Sequence, residues 1–216
     1  MCYNKESSIT AYAVGMILSY YLYQGDKNYK TIALFSFTFI QIQLAEFLMW
    51  IDQDCRKGYN KFGTIFSELV LYLQPASILF ALLLFDTSII SDSNLKLALI
   101  ICLIPVYKVL LKNIKNKRNL CSRPSINTSN LNWDYPSPKW EKSNVIIYFL
   151  FLFGSWFLFK DKIKSSLVIL TLAITFYSSK LNFYQWESRW CILGTLLPFI
   201  FSLMKFITQL NNQKLK

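Results

Sequence analysis

The sequence predicts an all-α fold: a polytopic membrane protein that forms one bundle of seven transmembrane helices over residues 1–216. Composition is the first reason, because 54% of the 216 residues are hydrophobic and only 16% are charged. A soluble domain of this length would have too little polar surface to cover such a core. The second reason is that the apolar residues are gathered into seven long runs, each close to the length that crosses a bilayer.

The first three runs follow one another closely, and each predicts a helix. The opening MCYNKESSITAYAVGM carries acid as well as base and has no typical cleavage site, so we expect helix 8–24 to remain in the mature protein. The run 31–51, TIALFSFTFIQIQLAEFLMWI, is long enough to span a bilayer, and so is 64–85, TIFSELVLYLQPASILFALLLF. Short links between the runs predict that successive helices are antiparallel neighbours.

Four further helices are predicted at 94–111, 143–159, 164–179 and 189–209. The run 164–179 is short for a hydrocarbon layer of about 30 Å, so its flanking lysines are expected to extend it. Only one connection is long. The segment 112–142 is rich in Pro, Ser and Asn and has no apolar periodicity, which predicts an extramembrane loop that is ordered in part at most.

The charge of the chain bears on its partners and its orientation. The formal net charge is +11, from 23 basic and 12 acidic residues, and no DNA- or RNA-binding motif accompanies it. We therefore expect contact with membrane lipids and not with nucleic acid. Seven crossings place the termini on opposite sides; we call the side of the amino terminus face A and the other side face B. More than half of the basic residues fall on face A, so the positive-inside rule predicts a cytoplasmic amino terminus.

Histidine is absent, which removes the commonest general base and the commonest metal ligand from the chemistry available to this chain. The five cysteines include no C-x-x-C pair, so neither a metal site nor a cofactor is predicted. If face A is cytoplasmic, the thiols on that side are expected to be free.

Glu46 is the most informative single residue, because it lies inside an apolar run. A charged side chain at membrane depth costs about 2.5 to 3.5 kcal/mol, and such residues tend to be paired or functional. The second helix runs towards face A, and Glu46 is expected roughly 7 Å below that face. Its spacing puts it on one stripe with Gln43 and Trp50. A structural hydrogen bond and a functional role are equally good explanations at this point.

Other polar residues are predicted at the same end of the bundle. The third and seventh helices both begin at face A, and the amino terminus brings Cys2 to that face. The candidate ligand-pocket residues are Gln43, Glu46, Trp50, Glu68, Tyr72, Gln74, Pro75, Glu187, Ser188, Trp190 and Cys191. The candidate catalytic residues are Glu46, Cys2 and Cys191.

Simpler explanations exist for several of these residues. A carboxylate close to a helix start, such as Glu68, complements the helix dipole. Trp50 and Trp190 are placed where interfacial tryptophans anchor helices in a membrane. Pro75 removes the backbone donor for the Leu71 carbonyl, which kinks membrane helices but also frees carbonyls for ion binding in transporters.

Four short motifs stand out in the chain: the opening M-C-Y-N-K-E-S-S, E-F-L-M-W in the second helix, L-Q-P in the third and the late W-E-S-R-W-C. Through these motifs the chain resembles an uncharacterised family of multi-pass membrane proteins found in giant DNA viruses of amoebae and in bacteria. Family members begin Met-Cys-Trp-Ser or similar and close with Ser-x-Trp-Cys-Trp. Tyr3 and Ile192 stand here for two family tryptophans. The resemblance implies no known activity, but its signature residues are those that the topology gathers at face A.

Three functions remain open from the sequence. The first is a non-catalytic membrane component, viral if the resemblance holds, that recruits a protein partner through the loop 112–142. The second is an intramembrane pocket at face A that binds or processes a lipid or small amphiphile, with Glu46 as base and a cysteine as nucleophile. The third is a transporter or proton-coupled channel, which the scarcity of polar residues towards face B disfavours.

Overall fold

The computed structural model describes residues 4–115, 119–124, 131–134, 142–180 and 186–214, with side chains described for these except 142–147, 176, 178–180, 186–193 and 214. The fold is all-α, as predicted, and a helix lies at each of the seven predicted positions. The helices are α1 Lys5–Tyr23, α2 Lys27–Trp50, α3 Tyr59–Leu84, α4 Asp92–Lys115, α5 Lys142–Phe157, α6 Lys162–Lys180 and α7 Trp186–Lys214. Two short strands, β1 Arg123–Pro124 and β2 Leu131–Asn132, pair antiparallel between α4 and α5.

Three of the helices, α2, α3 and α4, are long and apolar enough to cross a membrane, judged over the described residues by length and composition. They differ in how much of their surface the protein itself covers. More than half of the apolar window of α2 and of α3 is buried, whereas most of that of α4 is exposed. A helix that is apolar and exposed needs an apolar solvent, so α4 indicates a bilayer around the protein.

Polar side chains mark several helix starts. Asn4 caps α1 through a capping box, in which its Oδ1 accepts the Ser7 N–H at 2.7 Å. Asp26 accepts the Tyr29 N–H at 3.0 Å and caps α2. Gly58 precedes α3 with φ +83°, a left-handed conformation that glycine adopts at little cost, and it has no side chain with which to cap the helix.

Helix α2 makes the most extensive contacts with other helices among the described residues. It packs against α3 most extensively, and also against α1 and α7. Contacts of α3 with α5, of α5 with α6 and of α6 with α7 complete a ring of five helices. Helix α1 packs on the outside of α2 and α7, while α4 packs on α3. Any group buried on the α2–α3 contact therefore lies deep inside the molecule.

Small residues let the central helices approach closely. A Cβ added at Gly63 of α3 would lie only 2.6 Å from the backbone oxygen of Ala45 on α2. Gly15 of α1 and Gly194 of α7 both lie against Ile40, which is fully buried. Packing through small residues is how helices associate in a bilayer, where lipid and leucine are equally apolar.

At face B two turns are joined to each other. The turn after α3 and the turn after α5 exchange backbone hydrogen bonds, from Ile89 N–H to Leu158 O and from Lys160 N–H to Thr87 O, each 2.8 Å. The Thr87 hydroxyl is also 2.8 Å from the hydroxyl of Thr31 on α2. These contacts tie α2, α3 and α5 together at the face opposite the amino terminus.

The segment 112–142, predicted as an extramembrane loop ordered in part at most, is described in part. Helix α4 extends into this segment as far as Lys115. We call the described residues 119–124 and 131–134 of the segment the cap, and they carry the two paired strands. The cap side chains of Leu120, Leu131 and Trp133 are buried. The composition predicted an extramembrane loop, and it carried no signal that these three apolar side chains are buried.

We expect Gly63→Ala to destabilise the protein. The added methyl group meets a backbone oxygen, so α2 and α3 must separate, at a cost of about 1–3 kcal/mol. The matched control is Gly154→Ala in α5, where nothing lies within 4 Å of the added Cβ. Thermal unfolding in detergent should show a lower midpoint for the first variant and an unchanged or higher midpoint for the second. Equal midpoints would contradict the close contact at Gly63.

Candidate functional site

Glu46 lies where the sequence placed it, about one helical turn before the end of α2 at face A. Its side chain is 0% exposed. Gln43, one turn further into the molecule, is buried as well. The carboxylate and the carboxamide are thus both inside the protein and removed from water and lipid.

Helix α3 brings a longer series of polar residues. Asn60, Thr64, Glu68 and Tyr72 recur at every fourth residue and therefore follow one stripe down the helix. The first three are buried and Tyr72 is half-buried. We call these four residues, together with Gln43, Glu46 and Gln74, the polar column. Counted along α3 from Asn60 to Gln74 it descends about 21 Å, which is more than half of that helix.

Two other helices contribute hydrogen bonds to the column. Asn113, in the last turn of α4, donates its Nδ2–H to Glu68 Oε2 at 3.1 Å. Deeper in the molecule, the Tyr148 hydroxyl of α5 donates to Gln74 Oε1. Glu68 is 1% exposed and Gln74 is fully buried. Asn113 thus joins α4, and Tyr148 joins α5, to the buried polar side chains of α3.

The cap closes the column at face A. Asn60 Nδ2 donates to the Ser122 carbonyl at 2.8 Å, and the Ser122 N–H donates to Asn60 Oδ1 at 2.7 Å. The Thr64 and Ser122 hydroxyls are 2.7 Å apart. The Ser122 hydroxyl also accepts the Asp134 N–H at 3.0 Å, which joins the two parts of the cap. The cap thus sits on the two residues of the α3 stripe that precede Glu68.

A disulfide bond is the covalent tie between the cap and the helices. Cys55, in the turn between α2 and α3, is bonded to Cys121 of the cap, with a Cα–Cα distance of 5.7 Å. For these two cysteines the bond corrects the expectation of free thiols that a cytoplasmic face A carried. Cysteines scattered along the sequence gave no spacing signal, and the pair is 66 residues apart in the chain. Cys102 is free and buried in α4.

Asp52 organises the turn that carries Cys55. Its Oδ1 accepts the N–H groups of Arg56 at 3.0 Å and Lys57 at 3.1 Å, and its Oδ2 accepts the Asn60 N–H at 3.2 Å. Asp52 thereby caps α3 in place of Gly58. Burial raises the pKa of this carboxyl, but the backbone N–H donors outweigh burial, and the net pKa lies below its ordinary value.

Towards face B the column ends against apolar side chains. After Gln74, the buried residues of α3 are all apolar. The ring of Trp156 on α5 packs edge-on against Phe35 of α2 and against Phe159 in the turn after α5, with centroid distances of 5.1 and 5.7 Å. Along α3 the column therefore ends in apolar packing after Gln74 and at the cap beside Asn60.

The structure describes the side chains of some predicted site residues and not those of others. Gln43, Glu46, Glu68, Tyr72 and Gln74 belong to the column. Pro75 is buried directly below it, and Trp50 is half-buried at the end of α2. The other candidates, Cys2, Glu187, Ser188, Trp190 and Cys191, lie outside the described residues or have side chains outside them, although 187–191 belong to α7.

Sequence reasoning missed the residues that build the closed end. Asn60 and Thr64 continue the stripe of Glu68 by the same four-residue spacing, a signal that was present but fell at or before the start of the apolar run. Asn113 and Tyr148 gave no such signal, because each reaches the column from a different helix. Ser122 and Asp134 lie in the segment 112–142, which was predicted only as an extramembrane loop ordered in part at most.

Nothing in the described part of the chain resembles a metal centre, since no group of three Cys, Asp or Glu residues comes together there. No protein-family model, curated protein or solved structure matches this chain. The site is therefore interpreted from its own geometry.

We expect Asn60→Ala to loosen the cap. The substitution leaves the Ser122 N–H and two backbone carbonyls, those of Ser122 and Met49, without this partner, at a cost of about 1–3 kcal/mol. Hydrogen exchange at Ser122 and Asp134 should become faster in the variant. Asn94→Ala, at an exposed position in α4, is the control and should leave exchange unchanged. Unaltered protection in the Asn60 variant would show that the cap does not depend on this side chain.

The stabilising effect of Asp52 should depend on pH. Because the folded-state pKa is lowered, the stabilisation is complete above the unfolded-state pKa of about 3.9 and is lost as the pH falls through the folded-state value. The difference in unfolding free energy between the wild type and Asp52→Asn should therefore be constant near neutral pH and shrink below about pH 4.

Denaturant unfolding in detergent between pH 7 and pH 3 measures this difference. Asp54→Asn, an exposed neighbour in the same turn, is the matched control and should have little effect on stability at neutral pH. A difference for Asp52→Asn that stays constant down to pH 3 would contradict the assigned role of its ionised carboxylate.

Proposed function

We propose that this protein crosses the membrane seven times and binds, without catalysis, the headgroup of a small amphiphile in the polar column. The observation that carries the proposal is the burial of two glutamates, Glu46 and Glu68, on the two central helices beneath a cap that closes the same end. An amphiphile with a primary ammonium headgroup suits these carboxylates, because its N–H groups donate charge-assisted hydrogen bonds, which a quaternary ammonium cannot do.

The seven crossings are supported by where the large apolar side chains lie. Each helix exposes at least one, including those helices that are not long and apolar enough by themselves to indicate a span. Examples are Ile17 on α1, Phe37 on α2, Phe80 on α3, Tyr107 on α4, Leu150 on α5, Tyr177 on α6 and Phe199 on α7. In water so much exposed apolar surface would drive aggregation, whereas in a bilayer it is solvated.

Binding is supported more than catalysis by the kind of groups that converge. The column offers carboxylates, carboxamides and phenols, which orient a ligand through hydrogen bonds and charge. Its one aliphatic hydroxyl, on Thr64, is 2.7 Å from the Ser122 hydroxyl of the cap. A nucleophile paired with a base is the usual requirement for covalent catalysis, and the described residues give no reason to assign one.

The blind end of the column favours binding over transport. A transport pathway needs polar groups or water along its whole length, and α3 buries only apolar side chains between Gln74 and its end. The polar column therefore supports a binding site that is reached from the capped end, at face A, and not from face B.

The proposal also includes the orientation of the protein in the membrane. Disulfides persist in oxidising compartments and are rare in the cytosol. The bond between Cys55 and Cys121 therefore supports an extracytoplasmic face A, opposite to the orientation expected from the basic residues. The charge difference between the faces is small and comes largely from the loop 112–142, so it weighs less than a disulfide bond.

Ligand-induced stabilisation tests the binding proposal. The protein is reconstituted in phosphatidylcholine nanodiscs, and its thermal midpoint is measured as phosphatidylethanolamine or phosphatidylglycerol is added. A ligand that binds only the folded state stabilises it by about 2.7 kcal/mol at one hundred times its Kd. We expect a rise with the ethanolamine lipid, none with the anionic glycerol lipid, and loss of the rise in Glu68→Gln.

The matched control is Glu6→Gln, at an exposed position in the first turn of α1, which should keep the full response. An equal response to both lipids, or an undiminished response in Glu68→Gln, would reject the column as a site for ammonium headgroups. If Glu46 and Glu68 serve only to hold helices together, their Gln variants lower the midpoint and no lipid raises it.

A further inference from the structure

We propose that the Cys55–Cys121 disulfide is a redox-controlled lock that keeps the cap closed over the polar column. As regulation of ligand access, the lock rests on the proposed binding function; as a movement of the cap, it can be tested without any ligand. The inference depends on where the disulfide lies, on what touches its sulfur atoms and on what else holds the cap.

The disulfide can be reached by a reductant, unlike a disulfide buried in a core. Cys55 and Cys121 are both half-buried, and they lie in the turn and the cap at face A, outside the helices. The residues Arg56, Lys57 and Arg123 beside them are exposed. A thiol reductant in the aqueous compartment at face A therefore has access to the S–S bond.

A guanidinium group favours cleavage in one direction. Arg123 Nε donates a hydrogen bond to Cys121 Sγ at 3.2 Å. A cation at this distance stabilises a thiolate, and a stabilised thiolate is the better leaving group in thiol–disulfide exchange. The contact selects Cys55 Sγ as the atom that is attacked and Cys121 as the leaving thiolate.

The exchange uses a dithiol as its reductant and is balanced in two steps. The first thiolate of the dithiol attacks Cys55 Sγ, a mixed disulfide forms, and the electron pair of the broken S–S bond goes to Cys121 beside Arg123. The second thiolate of the dithiol then attacks the other dithiol sulfur, which is bonded to Cys55 Sγ in the mixed disulfide, and displaces Cys55 as a thiolate. The reductant leaves as a disulfide, and its two protons end on the two cysteines.

Breaking this bond leaves the cap attached at fewer points. The turn carrying Cys55 loses its covalent contact with the cap, and the remaining described polar contacts with α3 converge on one residue, Ser122. Cys55 also has a left-handed backbone, with φ +57°, which a residue with a side chain adopts at some cost. Reduction removes the covalent constraint between this residue and the cap.

The first measurement compares the wild-type protein in detergent before and after treatment with dithiothreitol. Mass shifts with a maleimide count the thiols, and hydrogen exchange reports on residues 119–124 and 131–134. We expect reduction to raise exchange at Ser122 and Asp134 by at least about tenfold, because opening of the cap exposes their N–H groups to water. A water-soluble carbodiimide should then label Glu68 faster than in the oxidised protein.

The second measurement is the rate of reduction in Arg123→Gln, which we expect to be about five to ten times slower than in the wild type because the leaving thiolate loses its cation. Lys57→Gln is the matched control, since it removes an exposed cation from the same face and leaves the Arg123 contact in place. Both variants change exposed side chains, so both are expected to fold.

Each opposite result overturns a stated part of the proposal. Full reduction without a change in exchange or in Glu68 labelling means that the disulfide does not lock the cap. An equal reduction rate in the wild type and Arg123→Gln removes the directed cleavage, and two free thiols at Cys55 and Cys121 in the untreated protein remove the lock itself. None of these measurements involves lipid, so a failed lipid response with a working lock would reject the binding function alone.

Discussion

The close antiparallel contact of α2 and α3 is the constraint on which the rest of the structure depends. Gly63 allows the two helices to approach until the Ala45 backbone occupies the space where a side chain would start. Glu46 and Glu68 lie on these two neighbouring helices. The contact also sets the turn between the helices, where Asp52 gathers three backbone N–H groups and Cys55 meets the cap. A wider spacing would separate the column from its closure.

Polar groups and apolar groups are distributed in this molecule as a bilayer requires. Apolar side chains are exposed along all seven helices, while carboxylates, carboxamides and hydroxyls are buried among them. A buried polar group costs free energy unless it is hydrogen-bonded, and this cost is high where water is absent. The side chains of Asn113, Tyr148 and Ser122 meet that requirement from three different segments. The hydrogen bonds that satisfy these buried groups therefore join α4, α5 and the cap to the α2–α3 pair.

The cap changes how the role of the two buried glutamates is interpreted. With the segment 112–142 taken as an irregular loop, Glu46 and Glu68 would lie near an open membrane face and could serve simply as polar contacts between helices. With Ser122 seated on Asn60 and Thr64, the same glutamates lie below a closure that a covalent bond holds in place. A covered polar interior with a cleavable tie is the arrangement on which the proposed regulated binding rests.

The sequence by itself determined that the composition is typical of a membrane protein. It also determined the positions of seven helices and the place of Glu46 within α2. These follow from transfer free energy and from periodicity, which are properties of neighbouring residues. Even the stripe from Asn60 to Tyr72 can be found by counting. Only the tertiary structure decided that Cys55 pairs with Cys121 and that Asn60 holds Ser122, residues 62 positions apart. Such pairings depend on how distant segments meet in space, and local composition carries no information about that distance.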